Sequence, residues 1–195
     1  MPRFMKLKRG AVRDRVLPLD VIAALFNAAN GDAQFMYLLL AFATGARPTA
    51  VLELTRAQAD FRHNVIHINP SGRKQTAKRR PVLPIPETLM SWLQKGTAQH
   101  FICYGDGQAY TKWGWDAIFK RLVKRADVQG ASAYTIRHTV ATESYSRGVS
   151  YGDVQMYLGH SLESMGTTGR YIHLKPDYLQ APRRAIHIET GKALQ

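Results

Sequence analysis

Apolar residues recur at helical spacing on both sides of a turn-rich segment that has the character of short strands. This order constrains the fold most strongly, because helices and half-buried strands bury their side chains at different periods. The clearest helical stripe occupies positions i, i+3, i+4 and i+7 of one face: Phe35, Leu38, Leu39 and Phe42. We therefore predict a mainly α fold with a small antiparallel β-sheet, in the α+β class.

The first third of the chain predicts three helices. The first is expected after Leu19 with Asp20 as its N-cap, the second ends at Gly45, and the third begins at Pro48. Arg47 directly precedes Pro48 and is therefore biased toward an extended backbone. We expect Arg47 at a helix–helix junction, held by packed helices on both sides.

The middle of the chain predicts the sheet. A hairpin is expected with its first strand at Phe61-Arg62, a turn at residues 63–64 and a second strand over residues 65–68. A third strand over residues 82–84 is expected at a sheet edge, because Pro81 has no N–H to donate to a ladder. Further helices are predicted over residues 87–95, 113–125, 133–147, 151–158, 161–171 and 177–188.

The charge balance indicates a polyanionic partner. The 195 residues include 27 Lys and Arg against 14 Asp and Glu, a formal net charge of +13. Such an excess favours nucleic acid over a membrane surface. The most apolar stretch, residues 35–42, is far shorter than the roughly 20 residues of a membrane-spanning helix, so no membrane partner is expected. Cys103 is the only cysteine, which fits a reducing, cytoplasmic setting.

The first 16 residues are basic and have little apolar pattern. Their cations are Arg3, Lys6, Lys8, Arg9, Arg13 and Arg15. Two interpretations stay open at this point. The segment is either a solvated arm that frays at the terminus or a linker whose cations follow DNA phosphates. The second interpretation makes Lys6, Lys8 and Arg9 candidate DNA-binding residues.

Two short motifs carry polar side chains but are weak evidence when taken singly. Tyr134, Arg137 and His138 share one face of a predicted helix, a pattern that plain amphipathicity also produces. His160 follows Leu158-Gly159 in a predicted turn, where a histidine is commonly an ordinary surface residue. Whether these two motifs belong to a functional site depends on which other motifs the chain contains and in which order they occur.

Five motifs in order resemble the tyrosine recombinases of the phage integrase family, over about residues 17–174. They are TGARPTAVLEL from Thr44, KQTAKRRPVLP from Lys74, YTIRHTVAT from Tyr134, MYLGHS from Met156 and GRYIHL from Gly169. The resemblance implies a tyrosine recombinase catalytic domain at residues 17–176, after the basic arm or linker at 1–16 and before a C-terminal helix and tail at 177–195. It also implies that the family's N-terminal core-binding domain is absent, so that the chain is either a fragment or a natural short form.

The resemblance assigns candidate catalytic residues motif by motif. Tyr171 is the implied nucleophile. Arg47 and Arg137 would hold the scissile phosphate, and Lys74, with Lys78 as the alternative, would protonate the leaving 5′ oxygen. The neighbouring cations are expected to bind DNA phosphates: Arg73, Lys78, Arg79 and Arg80.

A further histidine is implied by the Leu-Gly-His turn, and three positions depart from the family pattern. His160 would hydrogen-bond the phosphate or the transition state. Tyr134 replaces the histidine of the His-x-x-Arg pair, and would act either as a weak acid–base partner or only as a hydrogen-bond donor. Ala50 occupies a position that is usually acidic, and Met165-Gly166 resembles a two-residue insertion before Tyr171.

The implied activity is the breaking and rejoining of DNA strands through a 3′-phosphotyrosyl bond, with neither a cofactor nor a metal ion. The implied partners are double-stranded DNA and further copies of the chain in a synaptic tetramer, at the nucleoid in the cytoplasm. Two rival functions share much of this signature. One is a type IB topoisomerase that relaxes supercoils, and the other is a catalytically weak DNA-binding relic of the family.

Overall fold

A computed structural model describes residues 15–160 of the chain. Over this range the helices are α1 (Leu19–Asn27), α2 (Asp32–Thr44), α3 (Pro48–Leu52), α4 (Glu87–Lys95), α5 (Lys112–Arg125), α6 (Ala133–Ser146) and α7 (Tyr151–Tyr157), with a 3-10 turn at Arg56–Gln58. The strands are β1 (Ala59–Asp60), β2 (Val65–His67) and β3 (Val82–Pro84). The predicted mainly α fold with a small antiparallel sheet is confirmed. The predicted helices over 161–171 and 177–188, and nearly all of the predicted arm at 1–16, lie outside the described residues.

Helix α2 forms the centre of the core because it is apolar on all sides. Every residue from Tyr37 to Thr44 is buried, a larger surface than the single stripe predicted from the spacing. α3, α4 and α6 all pack against it. Gly45 ends the helix in the left-handed region at φ 55, where a glycine avoids the steric cost of a side chain. The segment that begins at Gly45 therefore follows directly on the central helix of the core.

The start of α1 differs from the prediction. The helix begins at Leu19 with Pro18 as its N-cap, so Asp20 lies in the first turn and does not cap it. Pro18 has an extended backbone at φ -69 and ψ 165, and with its fixed φ it starts the helix two residues earlier than a cap at Asp20 would. In the first turn the Asp20 carboxylate still interacts favourably with the helix dipole.

The three strands form one antiparallel sheet in the order β1-β2-β3. The first strand lies two residues before the predicted Phe61-Arg62, which belong to the turn, because Oδ1 of Asp60 accepts bonds from the N–H groups of the two residues at 62 and 63. Ile66 pairs with Leu83 in register, and both side chains are fully buried against the helices. β3 is an edge strand, as predicted from Pro81. The ladder continues one step further, because the N–H of Ile68 donates to the carbonyl of Pro81 at 3.0 Å. This bond fixes the end of the long basic segment that connects β2 to β3.

Helix α6 carries the segment with the Tyr, Arg and His side chains. Ser132 caps it through a reciprocal pair of bonds with Thr135. Ile136 and Val140 are buried, and α6 packs against both α2 and α7. A Cβ at Gly45 would lie 2.8 Å from Cγ1 of Val140 and 2.6 Å from Cδ2 of Leu158. The end of α2, the middle of α6 and the end of α7 therefore meet at Gly45.

No helix within residues 15–160 is both long enough and apolar enough to cross a bilayer.

Candidate active site

Two guanidinium groups meet at the turn that follows α7. The carbonyl of Leu158 accepts a hydrogen bond from Nη2 of Arg137 at 2.8 Å. The next carbonyl, that of Gly159, accepts one from Nη2 of Arg47 at 3.2 Å. Because consecutive carbonyls bind the two groups, the guanidiniums lie near one another, directly before His160 in the chain.

Arg137 is presented by α6 and is buried, with 9% of its surface exposed. Its Nη1 donates to the carbonyl of Gly45 at 2.8 Å, so it joins the end of α2 to the turn after α7. Burial, with a smaller contribution from the charge of Arg47, lowers the pKa of Arg137 to about 10. The group remains a cation at neutral pH and its orientation is fixed by two bonds.

Arg47 lies where the sequence predicted, at the junction of α2 and α3. It is the N-cap of α3, with Pro48 at the first helical position. Its Nη1 donates to the carbonyl of Arg79 at 2.9 Å, in the segment that connects β2 to β3. Burial and the charge of Arg80 lower the pKa of Arg47, while Tyr134 acts in the opposite direction. Arg47 thus connects three parts of the chain that are far apart in sequence.

Neither arginine has a carboxylate partner among residues 15–160. The position at which the resemblance implied an acidic residue is held by Ala50, whose side chain is buried in the core. Backbone carbonyls satisfy part of each guanidinium but carry no net charge, so the positive charges remain uncompensated. Each guanidinium also has five N–H donors in a planar fork, which leaves donors for a further acceptor. The arrangement favours an anion with several oxygens, such as a phosphate.

His160 adjoins this pair and is a neutral side chain at neutral pH. The backbone N–H of His160 donates to the carbonyl of Gln155 at 2.9 Å, which continues the turn after α7. Burial lowers the pKa of His160, and the charges of Arg137 and Arg47 lower it further. A neutral imidazole can donate through one ring nitrogen and accept through the other. It can therefore serve a phosphate as a donor without adding a third fixed charge.

Tyr134 lies one helical turn before Arg137 on α6, and 57% of its surface is exposed. Its hydroxyl is close enough to both arginines to favour their charged forms. His138, in the next turn, is exposed as well. Tyr134 therefore lies on the solvent-exposed side of the two guanidiniums, whereas Arg137 is buried.

The basic segment between β2 and β3 packs directly on the turn after α7. A Cβ on Gly159 would lie 2.3 Å from the carbonyl oxygen of Arg79 and 2.9 Å from Cδ of Pro81. Gly159 has a left-handed φ of 70. This close approach of two backbones brings the basic segment beside Arg47, and only a glycine leaves room for it.

The predicted cations of this segment are in different surroundings. Lys74, Lys78 and Arg79 are exposed, and their side chains make no hydrogen bond or ion pair within residues 15–160. Arg73 donates to Oδ1 of Asn69 at 2.7 Å. Nη1 of Arg80 lies 2.8 Å from Oε2 of Glu53, in an ion pair that lacks the alignment of a hydrogen bond. Arg73 and Arg80 are thus engaged within the protein, whereas the other three are open to a ligand.

Several candidates lie outside the described residues, and one surface was missed in the sequence. Tyr171 and the cations Lys6, Lys8 and Arg9 belong to the first group. The missed surface is an exposed stripe along α5 at helical spacing: Trp113, Lys120, Arg121 and Lys124. Trp113 is 82% exposed, unusual for so large an apolar side chain. The basic i, i+4 spacing was a signal for this stripe, but only the burial of Trp115 and Phe119 shows which face is open.

The sequence profile of the phage integrase family matches residues 15–177. A curated relative, the tyrosine recombinase XerC of Chlamydia trachomatis, is 27% identical over 189 residues that cover 91% of this chain. XerC of Bifidobacterium longum is 30% identical over 168 residues, or 78% of this chain. The chain spans about half the length of these relatives, 56% and 46% respectively.

Solved structures share the fold at low sequence identity. The integrase from mycobacterium phage Brujita superposes with a TM-score of 0.68 at 19% identity, covering 95% of this chain and 60% of that one.

Proposed function

The chain belongs to the phage integrase family, and from this membership and the geometry of the arginine pair we propose that it is the catalytic domain of a site-specific DNA recombinase. It would break and rejoin DNA strands through a 3′-phosphotyrosyl intermediate. The observation that carries the proposal is the pair of guanidiniums, Arg47 and Arg137, held by consecutive carbonyls beside His160 with no carboxylate partner among the described residues.

The arginine pair suits the transition state of phosphoryl transfer. Charge builds up on the non-bridging phosphate oxygens as the nucleophile attacks, and fixed donors stabilise that charge without reorganising. The carbonyl bonds of Arg47 and Arg137 fix the two forks before the substrate arrives. These cations supply the positive charge that a metal ion supplies in other phosphoryl-transfer enzymes, so we propose a metal-independent reaction.

The other candidate residues have roles in forming the new bond, protonating the leaving group and binding the phosphate. The oxygen of Tyr171 forms a bond to phosphorus as the bond from phosphorus to the 5′ oxygen breaks, and the phenolic proton passes to solvent. Lys74 protonates the departing 5′ oxygen. His160 donates a hydrogen bond to a phosphate oxygen, and Tyr134, at the open side of the pair, contributes a second donor in place of the usual histidine. Attack by a 5′ hydroxyl of another strand reverses the sequence and rejoins DNA.

Double-stranded DNA is the proposed substrate. A Tn1549 transposon integrase bound to transposon right end DNA shares this fold with a TM-score of 0.64 at 18% identity, over 91% of this chain and 68% of that one. The exposed cations Lys78 and Arg79, and the α5 stripe, provide phosphate-binding side chains. We further propose assembly into a synaptic tetramer on DNA at the nucleoid, which cross-linking with and without DNA would test.

Covalent trapping tests this function. A recognition duplex is first selected by the protein from a random pool, and is then nicked so that cleavage releases a short fragment and traps the adduct. The 195-residue chain and Tyr171→Phe are compared on a denaturing gel, at low salt because phosphate-dominated binding weakens as salt rises. We expect a protease-sensitive adduct with the native chain, formed equally in the presence of a chelator, and none with Tyr171→Phe.

Other results would point to the rivals. DNA binding without an adduct would support a non-catalytic relic, in line with Tyr134 and Ala50. An adduct accompanied by relaxation of supercoiled plasmid that carries no selected site would support a type IB topoisomerase.

A further inference from the structure

Two side-chain clamps flank Lys74 in the segment between β2 and β3. On the N-terminal side, Nδ2 of Asn69 donates to the carbonyl of Arg73 at 2.6 Å, and Nη1 of Arg73 donates back to Oδ1 of Asn69 at 2.7 Å. On the C-terminal side, the amide of Gln75 binds both backbone groups of Arg80, accepting from its N–H at 3.0 Å and donating to its carbonyl at 2.7 Å. Both neighbours of Lys74 are therefore held, and the lysine itself is exposed.

The Gln75 clamp is tied to the arginine pair. Arg80, its partner, forms the ion pair with Glu53 just after α3, and the Arg80 side chain is only 11% exposed. The preceding carbonyl, that of Arg79, accepts the bond from Arg47. The amide of Gln75 thus joins the residue after Lys74 to the backbone segment that contacts the proposed phosphate site.

Lys78 lies inside the loop that the Gln75 clamp closes. Of its two neighbours in the described structure only Arg79 is anchored, through the bond that its carbonyl accepts from Arg47. Within residues 15–160, the backbone carbonyl of Lys78 accepts a single hydrogen bond, from Oγ1 of Thr76. At 3.4 Å this is a long contact. The two lysines that the sequence left as alternatives are therefore held differently, with anchored neighbours on both sides of Lys74 alone.

We propose that Gln75 is a positioning residue for Lys74, which makes Lys74 the lysine that protonates the leaving oxygen. This inference rests on the proposed function. A flexible ammonium group loses effectiveness as an acid when its backbone samples many positions, and the clamp restricts those positions before DNA binds. In the step concerned, the bond from phosphorus to the 5′ oxygen breaks while Nζ of Lys74 gives its proton to that oxygen.

A sulfur substitution separates this role from general support of the fold. Replacing the bridging 5′ oxygen by sulfur gives a thiolate leaving group, and the pKa of its thiol, about 8.5, is far below that of a hydroxyl group. The thiolate departs without a proton. A variant that is defective only in delivering the proton is therefore slow on the oxygen duplex and recovers on the sulfur duplex.

The experiment measures adduct formation by the 195-residue chain on the selected nicked duplex with oxygen or sulfur at the scissile position. Lys74→Ala is expected to be nearly inactive on oxygen and to approach the native rate on sulfur. Gln75→Ala is expected to be about tenfold slower on oxygen, since an exposed side-chain hydrogen bond shifts an equilibrium by roughly that factor, and to recover on sulfur. Thr76→Ala, in the same loop, is the matched control and is expected to react at the native rate on both.

The outcomes distinguish the inference from the function on which it rests. Gln75→Ala overturns the inference if it is equally slow on both duplexes, or if it matches the native chain on oxygen. Sulfur rescue of Lys78→Ala in place of Lys74→Ala overturns it as well. Failure of the native chain to form an adduct on either duplex would instead refute the proposed recombinase function. Thermal unfolding of each variant checks that the substitutions leave the fold intact.

Discussion

Gly159→Ala should disable the site through a single methyl group. The carbonyl oxygen of Arg79 lies 2.3 Å from the position of the new Cβ, whereas ordinary contacts begin at 3.4 Å. Because the contacting atom belongs to the backbone, the segment between β2 and β3 must move away by about 1 Å. A displacement of that size can lower the rate about 100-fold. Arg47 would lose its bond to the Arg79 carbonyl.

The cost in stability follows from two terms. A side chain in the left-handed region costs about 1–2 kcal/mol, and Gly159 has φ 70. Forcing an extra methyl group into a packed contact adds about 1–3 kcal/mol. Gly148 has φ 80 but nothing within 4 Å of its Cβ position, so Gly148→Ala carries the first cost alone.

Urea unfolding and covalent trapping test the two variants side by side. We expect Gly159→Ala to lose about 2–5 kcal/mol of unfolding free energy and about 100-fold in adduct formation. Gly148→Ala should lose about 1–2 kcal/mol and keep the native trapping rate. Equal trapping rates for the two folded variants would refute the claim that the Gly159 contact holds the basic segment against Arg47.

Three further predictions concern the cations and the histidine. Arg137→Lys should slow adduct formation about 100- to 1000-fold, because one ammonium cannot replace the fork, while filter binding to DNA changes little; a rate near the native one would contradict the role. His160 has a lowered pKa in the folded chain, so the unfolded chain binds its proton first, and the unfolding free energy should fall as pH drops below about 6.5. His160→Gln should weaken that decline between pH 7.5 and 5.5, and an unchanged decline would contradict the burial argument. Lys78→Ala with Arg79→Ala should reduce the slope of log binding constant against log salt by about 2, and an unchanged slope would remove both from the DNA interface.

Local patterns in the sequence predicted the helices and the position of Arg47. α4 was predicted with its observed bounds, and α5 and α6 to within one residue at either end. Pro48 made it possible to place Arg47, because a proline favours the first position of a helix and an extended backbone at the residue before it. Helical periodicity and the effect of a proline both depend on residues that are close together in the chain, so both can be predicted from the sequence.

The contacts that build the site join residues far apart in the chain. Arg47 binds carbonyls 32 and 112 residues away. No periodicity encodes such partners, because a backbone carbonyl has no sequence identity of its own. For the same reason the sequence grouped Arg137 with Tyr134 and His138 on one polar face, whereas bonds to distant carbonyls bury Arg137 and leave the other two exposed.

The proposed recombinase function requires that the chain form a 3′-phosphotyrosyl bond through one tyrosine. The most direct measurement is mass spectrometry of the adduct trapped on the nicked duplex, after digestion of the protein and the DNA. We expect a peptide that contains Tyr171 linked through the tyrosine oxygen to a 3′ phosphate. A linkage at another residue, or to a 5′ phosphate, would contradict it.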